Sequence, residues 1–179
     1  MLAIGGYLFS LANSSTEQEI ALNNQREARL QDYLDKTSEL LLEKHLRKSP
    51  IDDEVRKIAR VRTLTVLRRI DGERKASVLR FLYESDLINK DKPIMHLEDA
   101  GLSEAELIVA NLSGADLSKA NLSEAKLIGA TLRGAILRDT TLLDADLSGA
   151  DLSGATIAPE QLDKAKSLKG TIGQNRNVS

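Results

Sequence analysis

The sequence contains no cysteine and no tryptophan, and aromatic residues make up only 3% of its 179 residues. The lack of cysteine excludes a disulfide framework, a thiolate metal site and a cysteine nucleophile. The scarcity of aromatics argues against a stacking platform for single-stranded nucleic acid. We therefore expect a soluble, mostly intracellular chain with one compact domain, or a small domain and a short solenoid. The predicted location is cytoplasmic, with a membrane-associated form facing the cytoplasm as the alternative.

Long hydrophobic runs are also lacking, and the apolar stretch of residues 2–12 is the main candidate. It is well short of the roughly 20 residues that span a bilayer, and no basic cluster precedes it. One interpretation is a helix end that packs or frays. The other is a peripheral or shortened membrane anchor, so residues 1–13 are predicted as an apolar segment with membrane-surface association as one of its roles.

The chemistry-bearing residues do not cluster in the sequence. His45 and His96 are the only imidazoles and lie in different segments. We expect His45 near a helix C-terminus and His96 as a surface or bridging residue. No serine has a base beside it, and no glycine-rich loop is followed by Lys-Ser or Lys-Thr. We therefore predict no catalytic residues, no metal site, no cofactor and no enzymatic activity.

A repeat of five residues runs from Ala100 to Pro159. An aliphatic residue holds the centre of each unit, and alanine lies two positions earlier in all but one of them, where Thr140 stands instead. The twelve central residues are the predicted core of the repeat region: Leu102, Leu107, Leu112, Leu117, Leu122, Leu127, Leu132, Leu137, Leu142, Leu147, Leu152 and Ile157.

A period of five fits neither a helix of 3.6 residues per turn nor a strand alternating every two. It fits a short straight side followed by a corner, with every central side chain pointing inward. Four such sides close a square coil of 20 residues, and stacked coils then pair as parallel strands about 4.8 Å apart. Gly114 and Gly129 suit corners that need positive φ.

The units Ala110–Gly114 (Ala-Asn-Leu-Ser-Gly) and Ala115–Lys119 (Ala-Asp-Leu-Ser-Lys) resemble the pentapeptide-repeat family. That resemblance implies a right-handed quadrilateral parallel β-helix. The segments 25–28, 62–69 and 80–84 look like the helical leader of cyanobacterial members of the family. Members with this layout mostly lack an assigned activity.

The overall prediction is an α+β chain: an α-helical domain, then a right-handed quadrilateral parallel β-helix of about three coils and a short C-terminal capping helix. The apolar segment is 1–13, the helical domain 14–93, the repeat region 94–158, and the capping helix with a disordered tail 159–179. Capping boxes at Ser14–Glu17 or Thr16–Glu19 predict the start of the first helix. Helices are expected over 15–47, 52–70, 72–85 and 159–166, a linker over 90–93, an entry coil over 94–97 and a disordered tail over 170–179.

The net charge of −2 hides two oppositely charged halves. Residues 44–80 carry twelve Lys or Arg against five Asp or Glu, whereas residues 97–165 carry five against twelve. The basic half predicts a candidate patch of Arg56, Arg60, Arg68 and Arg69. It is either the solvated face of an amphipathic helix, partly paired with acids of the first helix, or a surface for a membrane, an acidic partner or nucleic acid. Nucleic acid is the least favoured of these.

Residues 20 apart are predicted to stack, which maps the outer surface of the repeat. One corner stacks three acids, Glu104, Glu124 and Asp144, an acidic ridge. Another side carries Ile108, Val109 and Ile128 outward, a candidate interface. The helical domain covers that side, or it binds a partner or a second copy.

We therefore predict a non-enzymatic structural and protein-interaction module that mediates self-association, as a dimer, or docking to an unidentified protein partner or a membrane surface. The alternative is an acidic DNA mimic that binds a type II topoisomerase, as some members of the resembled family do. Three coils would rise about 15 Å, however, against about 34 Å for one turn of B-DNA. The basic helical half also departs from the uniform acidity of a mimic.

Overall fold

The computed structural model describes residues 2–89 and 93–173, with side chains from Ser15 onward. Helix α1 spans Leu2–Leu42. Its predicted start near residue 15 is wrong, because the leucines and alanines of the apolar stretch are good helix formers and extend the helix toward the N-terminus. Its predicted end is also late, because His45 adopts a left-handed conformation with φ 52°. The side chains of residues 1–13, and with them the membrane hypothesis, lie outside what the structure describes.

Two shorter helices complete the helical domain, α2 at Glu54–Leu67 and α3 at Gly72–Glu84. The side chain of Asp53 caps α2 by accepting from the Val55 N–H at 2.9 Å, and Asp71 caps α3 by accepting from the Arg74 N–H at 3.1 Å. Such caps satisfy backbone donors that a helix start leaves unpaired. Both helices are shorter than the predicted spans of 52–70 and 72–85. Among the described helices, none is long and apolar enough to cross a membrane.

The repeat region is built from single-residue parallel bridges between residues 20 apart. Asn121, for example, donates to Ala100 O at 2.9 Å and accepts from the Leu102 N–H at 2.8 Å. These bridges form four columns, one for each side of the predicted coil. The columns are 101–121–141, 106–126–146, 111–131–151 and 116–136–156.

One continuous hydrophobic core joins the helical domain to the repeat region. The repeat leucines from Leu102 to Leu152 are buried, whereas Ile157 at the end of the series is only partly buried. Within the helical domain, Tyr33 OH lies 2.8 Å from Thr63 Oγ1, and burial raises the pKa of Tyr33 to about 12. The join itself is tight, because the carbonyl of Gly72 accepts from the Glu106 N–H at 3.0 Å.

The C-terminal end of the repeat is covered by a short helix, α4 at Pro159–Leu162, rather than by the predicted 159–166. Leu162 is buried, and the Gln161 amide donates to the carbonyls of Leu137 and Thr140 at 2.7 and 2.8 Å. After α4 the chain extends two bridge columns, now with a spacing of 21: 146–167 and 151–172. The predicted disordered tail is therefore wrong for residues 170–173, and residues 174–179 lie outside the described residues, as does most of the predicted linker, 90–93.

Candidate functional site

The outward apolar patch of the repeat region consists of Ile108, Val109 and Ile128. The helical domain leaves it open, with exposed fractions of 51%, 74% and 39%. Val109 also has φ 56°, a left-handed conformation that is a real outlier for a β-branched residue. The equivalent corner one layer on is Gly129, which adopts such a φ without strain. The chain thus holds a bulky apolar side chain outward at a corner where glycine would cost less.

A charged ladder lies beside the patch, on the same side of the repeat. Glu106 and Lys126 are joined by an ion pair of 2.9 Å between Oε1 and Nζ, and Asp146 stands next in the column. Lys166 comes from beyond α4, where its N–H donates to Ala145 O at 2.9 Å. Hydrogen bonds from Ser148, together with the charge of Lys166, lower the pKa of Asp146. The signs along the ladder therefore alternate: negative, positive, negative, positive.

The patch also borders a cleft of about 290 Å³ between the repeat and α3. On the helix side, Leu79, Arg80 and Tyr83 line it, and Tyr83 OH accepts from the Asn111 amide at 2.7 Å. This bond links α3 to the repeat. The apolar surface thus continues from the patch toward the helical domain.

The acidic ridge of Glu104, Glu124 and Asp144 lies at the same corner of successive layers, with φ of 58°, 60° and 57°. All three side chains are exposed, and within the described part of the chain none forms an ion pair. Lys75 approaches the first of them while donating to Ser103 O at 2.7 Å. Burial lowers the pKa of Lys75, an effect that the nearby Glu104 carboxylate opposes.

The Asp/Asn-x-Ser sequence of five repeat units has a structural role that was not predicted from the sequence. The side-chain oxygen of the first residue accepts a hydrogen bond from the backbone N–H of the residue two positions later. Asp116 Oδ1, for example, accepts from the Ser118 N–H at 3.1 Å. This Asx turn closes the corner locally. The signal was present in the sequence as the fixed two-residue spacing. The same bond recurs at Asn111, Asn121, Asp146 and Asp151.

The four arginines of the predicted basic patch do not share one cleft. Arg56 and Arg60 line a cleft beside residues 93–96, Arg68 lies next to Gly101, and Arg69 lines a cleft between α1 and α2. Among the described residues, none of these four arginines forms an ion pair with an acid of α1. The α1 acids that do pair use other cations, Asp32 with Lys36 and Glu27 with Arg74.

The two imidazoles occupy different structural settings. His45 is exposed and follows the end of α1. His96 lies at the start of the repeat, with Nδ1 3.1 Å from Asp116 Oδ2, so it bridges one layer to the next. Among the side chains that the structure describes, no three His, Asp or Glu converge to hold a metal ion.

Comparison with protein-family models identifies the repeat. The model of pentapeptide repeats matches residues 96–123 and 115–154, with eight copies. The repeat region belongs to the pentapeptide-repeat family. The comparison with curated proteins gave no match.

Three solved pentapeptide-repeat proteins are similar to the chain. Rfr23 from the cyanobacterium Cyanothece 51142 is 32% identical, with 48% of this chain and 64% of that one covered and a TM-score of 0.35. A thylakoid lumen protein from Arabidopsis thaliana is 27% identical, with 42% and 59% covered and a TM-score of 0.24. HetL from Nostoc sp. strain PCC 7120, described as involved in heterocyst differentiation regulation, is 26% identical, with 47% and 56% covered and a TM-score of 0.26. This chain thus spans about three fifths of the length of the structures it matches.

Proposed function

We propose that this pentapeptide-repeat protein is a non-enzymatic interaction module that self-associates as a homodimer. The repeat forms a right-handed quadrilateral β-helix of about three coils, carried on the helical domain. The bridges between residues 20 apart and the buried leucine series support this architecture. The dimer forms through the side that carries Ile108, Val109 and Ile128.

The observation that carries the proposal is the group of three exposed aliphatic side chains that the repeat region carries on one side. Isolated exposed apolar residues are common, but a contiguous group on a rigid surface marks an interaction site. The choice of residue at Val109 adds to this interpretation. All corners of the repeat have positive φ, including solvated ones such as Glu104 and Lys119, but at Val109 the residue is β-branched, for which this conformation is a genuine outlier.

The charged ladder favours a second copy of the chain as the partner. A two-fold axis perpendicular to the ladder reverses its order, so each position meets the opposite end of the partner's ladder. Glu106 then faces Lys166 of the partner subunit, and Lys126 faces Asp146 of the partner subunit. Because the signs alternate over four positions, all four contacts join opposite charges. A contact in the same orientation without reversal would place like charges together.

Sedimentation velocity over a range of protein concentrations tests the dimer. Replacing Ile108 and Ile128 with serine removes the apolar centre, and we expect the dimer dissociation constant to rise at least about tenfold. The variant Glu106→Lys should also weaken the dimer, because it creates two like-charge contacts across the axis. Adding Lys166→Glu to that variant restores opposite charges at both contacts and should restore the dimer.

The charge exchange separates a symmetric contact from a general loss of stability. Thermal melting of each variant checks that the fold is kept, since Glu106 and Lys166 are both exposed. A wild-type chain that stays monomeric at every concentration would refute the proposal. Equal dissociation constants for Glu106→Lys and for the double variant would show that this ladder does not form the contact.

The acidic DNA-mimic alternative is less favoured by the surface of the repeat. Lys126 pairs with Glu106 and Arg133 with Asp151 at 3.3 Å, so cations interrupt the acidic surface on two sides. A mimic of the DNA backbone needs a regular array of negative charge. A gyrase supercoiling assay that changes on addition of the protein would nevertheless favour this alternative.

A further inference from the structure

A basic cleft of the helical domain shares no lining residue with the dimer patch proposed above. Its volume of about 560 Å³ lies within the range of small-molecule sites, about 300–1,000 Å³. The turn after α1, helix α2 and the first residues of the repeat region form its walls. The lining residues are Arg47, Ile51, Arg56, Lys57, Arg60, Pro93, Ile94, Met95 and His96.

Three arginines of the cleft are held in place by backbone carbonyl oxygens rather than by carboxylates. Arg47 Nε donates to Ser85 O at 2.9 Å, and Arg60 Nη2 donates to Glu98 O at 2.8 Å. Arg56 donates in the same way to a carbonyl and a hydroxyl of the turn. Neutral acceptors fix the guanidinium groups without neutralising them. Groups that are already ordered lose less entropy when they bind an anion.

The lysine and arginine side chains of the cleft are not held in ion pairs with carboxylates of the described residues. Among the described residues, neither Lys57 nor the three arginines form an ion pair. Asp52, Asp53 and Glu54 lie between Ile51 and Arg56 in the sequence, and the Asp53 carboxylate caps α2. Farther along the chain, Glu98 is bound to Lys119 at 2.9 Å, and Asp116 contacts His96. Like charges in one concave site repel each other, so an anion that enters the cleft relieves this repulsion.

The cleft also has an apolar side. Ile51 is 82% exposed at its mouth, which is unusual for a large aliphatic side chain, while Ile94 and Met95 form a buried floor. A bare inorganic anion would make no use of these groups. An apolar or aromatic body attached to the anion would cover Ile51 and gain from its burial.

We propose that this cleft binds a soluble phosphate ester in which one or two phosphates are attached to an apolar or aromatic body, such as a nucleoside diphosphate. Arginine guanidinium groups match phosphate oxygens in pairs, and Lys57 adds a mobile charge at the entrance. This site is independent of the proposed dimer, because the two surfaces share no residue.

Calorimetric titration of the full chain with inorganic pyrophosphate and with ADP at low salt tests the proposal. We expect both to bind and ADP to bind more tightly. Lys57→Glu should weaken binding of both by about tenfold or more, because a charge-assisted contact becomes a repulsion. Ile51→Ser should weaken ADP several-fold and leave pyrophosphate unchanged, because it removes only the apolar contact. Lys57 and Ile51 are exposed, so both variants should melt as the wild type does.

The matched control is Lys169→Glu, which makes the same charge change at an exposed position beyond α4. Equal losses for Lys57→Glu and Lys169→Glu would show general charge attraction and overturn the site. Absence of binding by either probe at millimolar concentration would also overturn it. Binding to vesicles that contain phosphatidic acid, without binding to the soluble probes, would assign the charge to a membrane surface and reject a soluble ligand.

Discussion

Gly72, the first residue of α3, lies against the backbone of the repeat region. A methyl group at this position would lie 2.1 Å from the carbonyl oxygen of Glu104. That is more than about 1 Å inside van der Waals contact, and the obstacle is backbone, which cannot rotate away. In Gly72→Ala, α3 must therefore move outward. The hydrogen bond from the Glu106 N–H to Gly72 O would lengthen, as would that from Lys75 to Ser103 O.

The expected loss of stability can be assembled from these contacts. Overpacking costs about 1–3 kcal/mol. The weakened backbone bond adds about 1 kcal/mol, and Lys75 adds more because it is only 7% exposed and loses its acceptor. Alanine in the first turn of a helix returns up to about 1 kcal/mol through its higher helix propensity. We expect the free energy of unfolding to fall by about 2–4 kcal/mol.

Gly101→Ala provides the matched control, since its added methyl would meet only the Arg68 side chain at 3.0 Å. That side chain is exposed and can shift, so the loss should stay below about 1 kcal/mol. Urea unfolding followed by far-ultraviolet circular dichroism measures both variants. If Gly72→Ala is as stable as Gly101→Ala, the helical domain does not contact the repeat as described.

The leucine column and the Asx-turn corners can be tested by substitution as well. Leu127 is fully buried, so Leu127→Ala should lower the free energy of unfolding by about 2–5 kcal/mol. Leu127→Asp should abolish the cooperative thermal transition. An unchanged melting temperature would contradict the inward position of this side chain. Hydrogen bonds from serine lower the pKa values of Asp146 and Asp151 below the ordinary 3.8, so their contribution is present above that pH and is lost as the pH falls below it. Asparagine makes the same turn at Asn111, so replacing both aspartates with asparagine should leave stability at neutral pH nearly unchanged. The same variant should lose less stability than the wild type between neutral pH and pH 3. Alanine at both positions should lower stability at every pH.

The sequence predicted the repeat region well because its signal is local and repeated. Each leucine is separated from the next by five residues, so one geometric rule accounts for the column of buried side chains and for the spacing of 20 between bridges. The outward position of Ile108 and Ile128 followed from the same rule. Whether the helices cover these residues depends on packing between distant segments, which no local pattern encodes.

The parts that the sequence did not predict depend on tertiary contacts or on a break in the period. After α4 the spacing between bridges changes from 20 to 21, so that Asp146 is bridged to Ser167 and not to Lys166, which the regular period of the repeat does not predict. The basic cleft requires the turn after α1, α2 and residues 93–96 to meet. Counting charges along the chain grouped Arg56 with Arg68, although the fold places them in different clefts.

The spacing of 20 between bridges also sets how this molecule can change in length. Deleting or duplicating one five-residue unit would keep every leucine inward but rotate everything beyond that point by a quarter turn relative to the helical domain. Lys166 would then leave the side that carries Glu106, and the Gln161 amide would meet a different corner. A change of 20 residues would preserve both ends, so the unit that this architecture can gain or lose without rearranging its surfaces is four repeats rather than one.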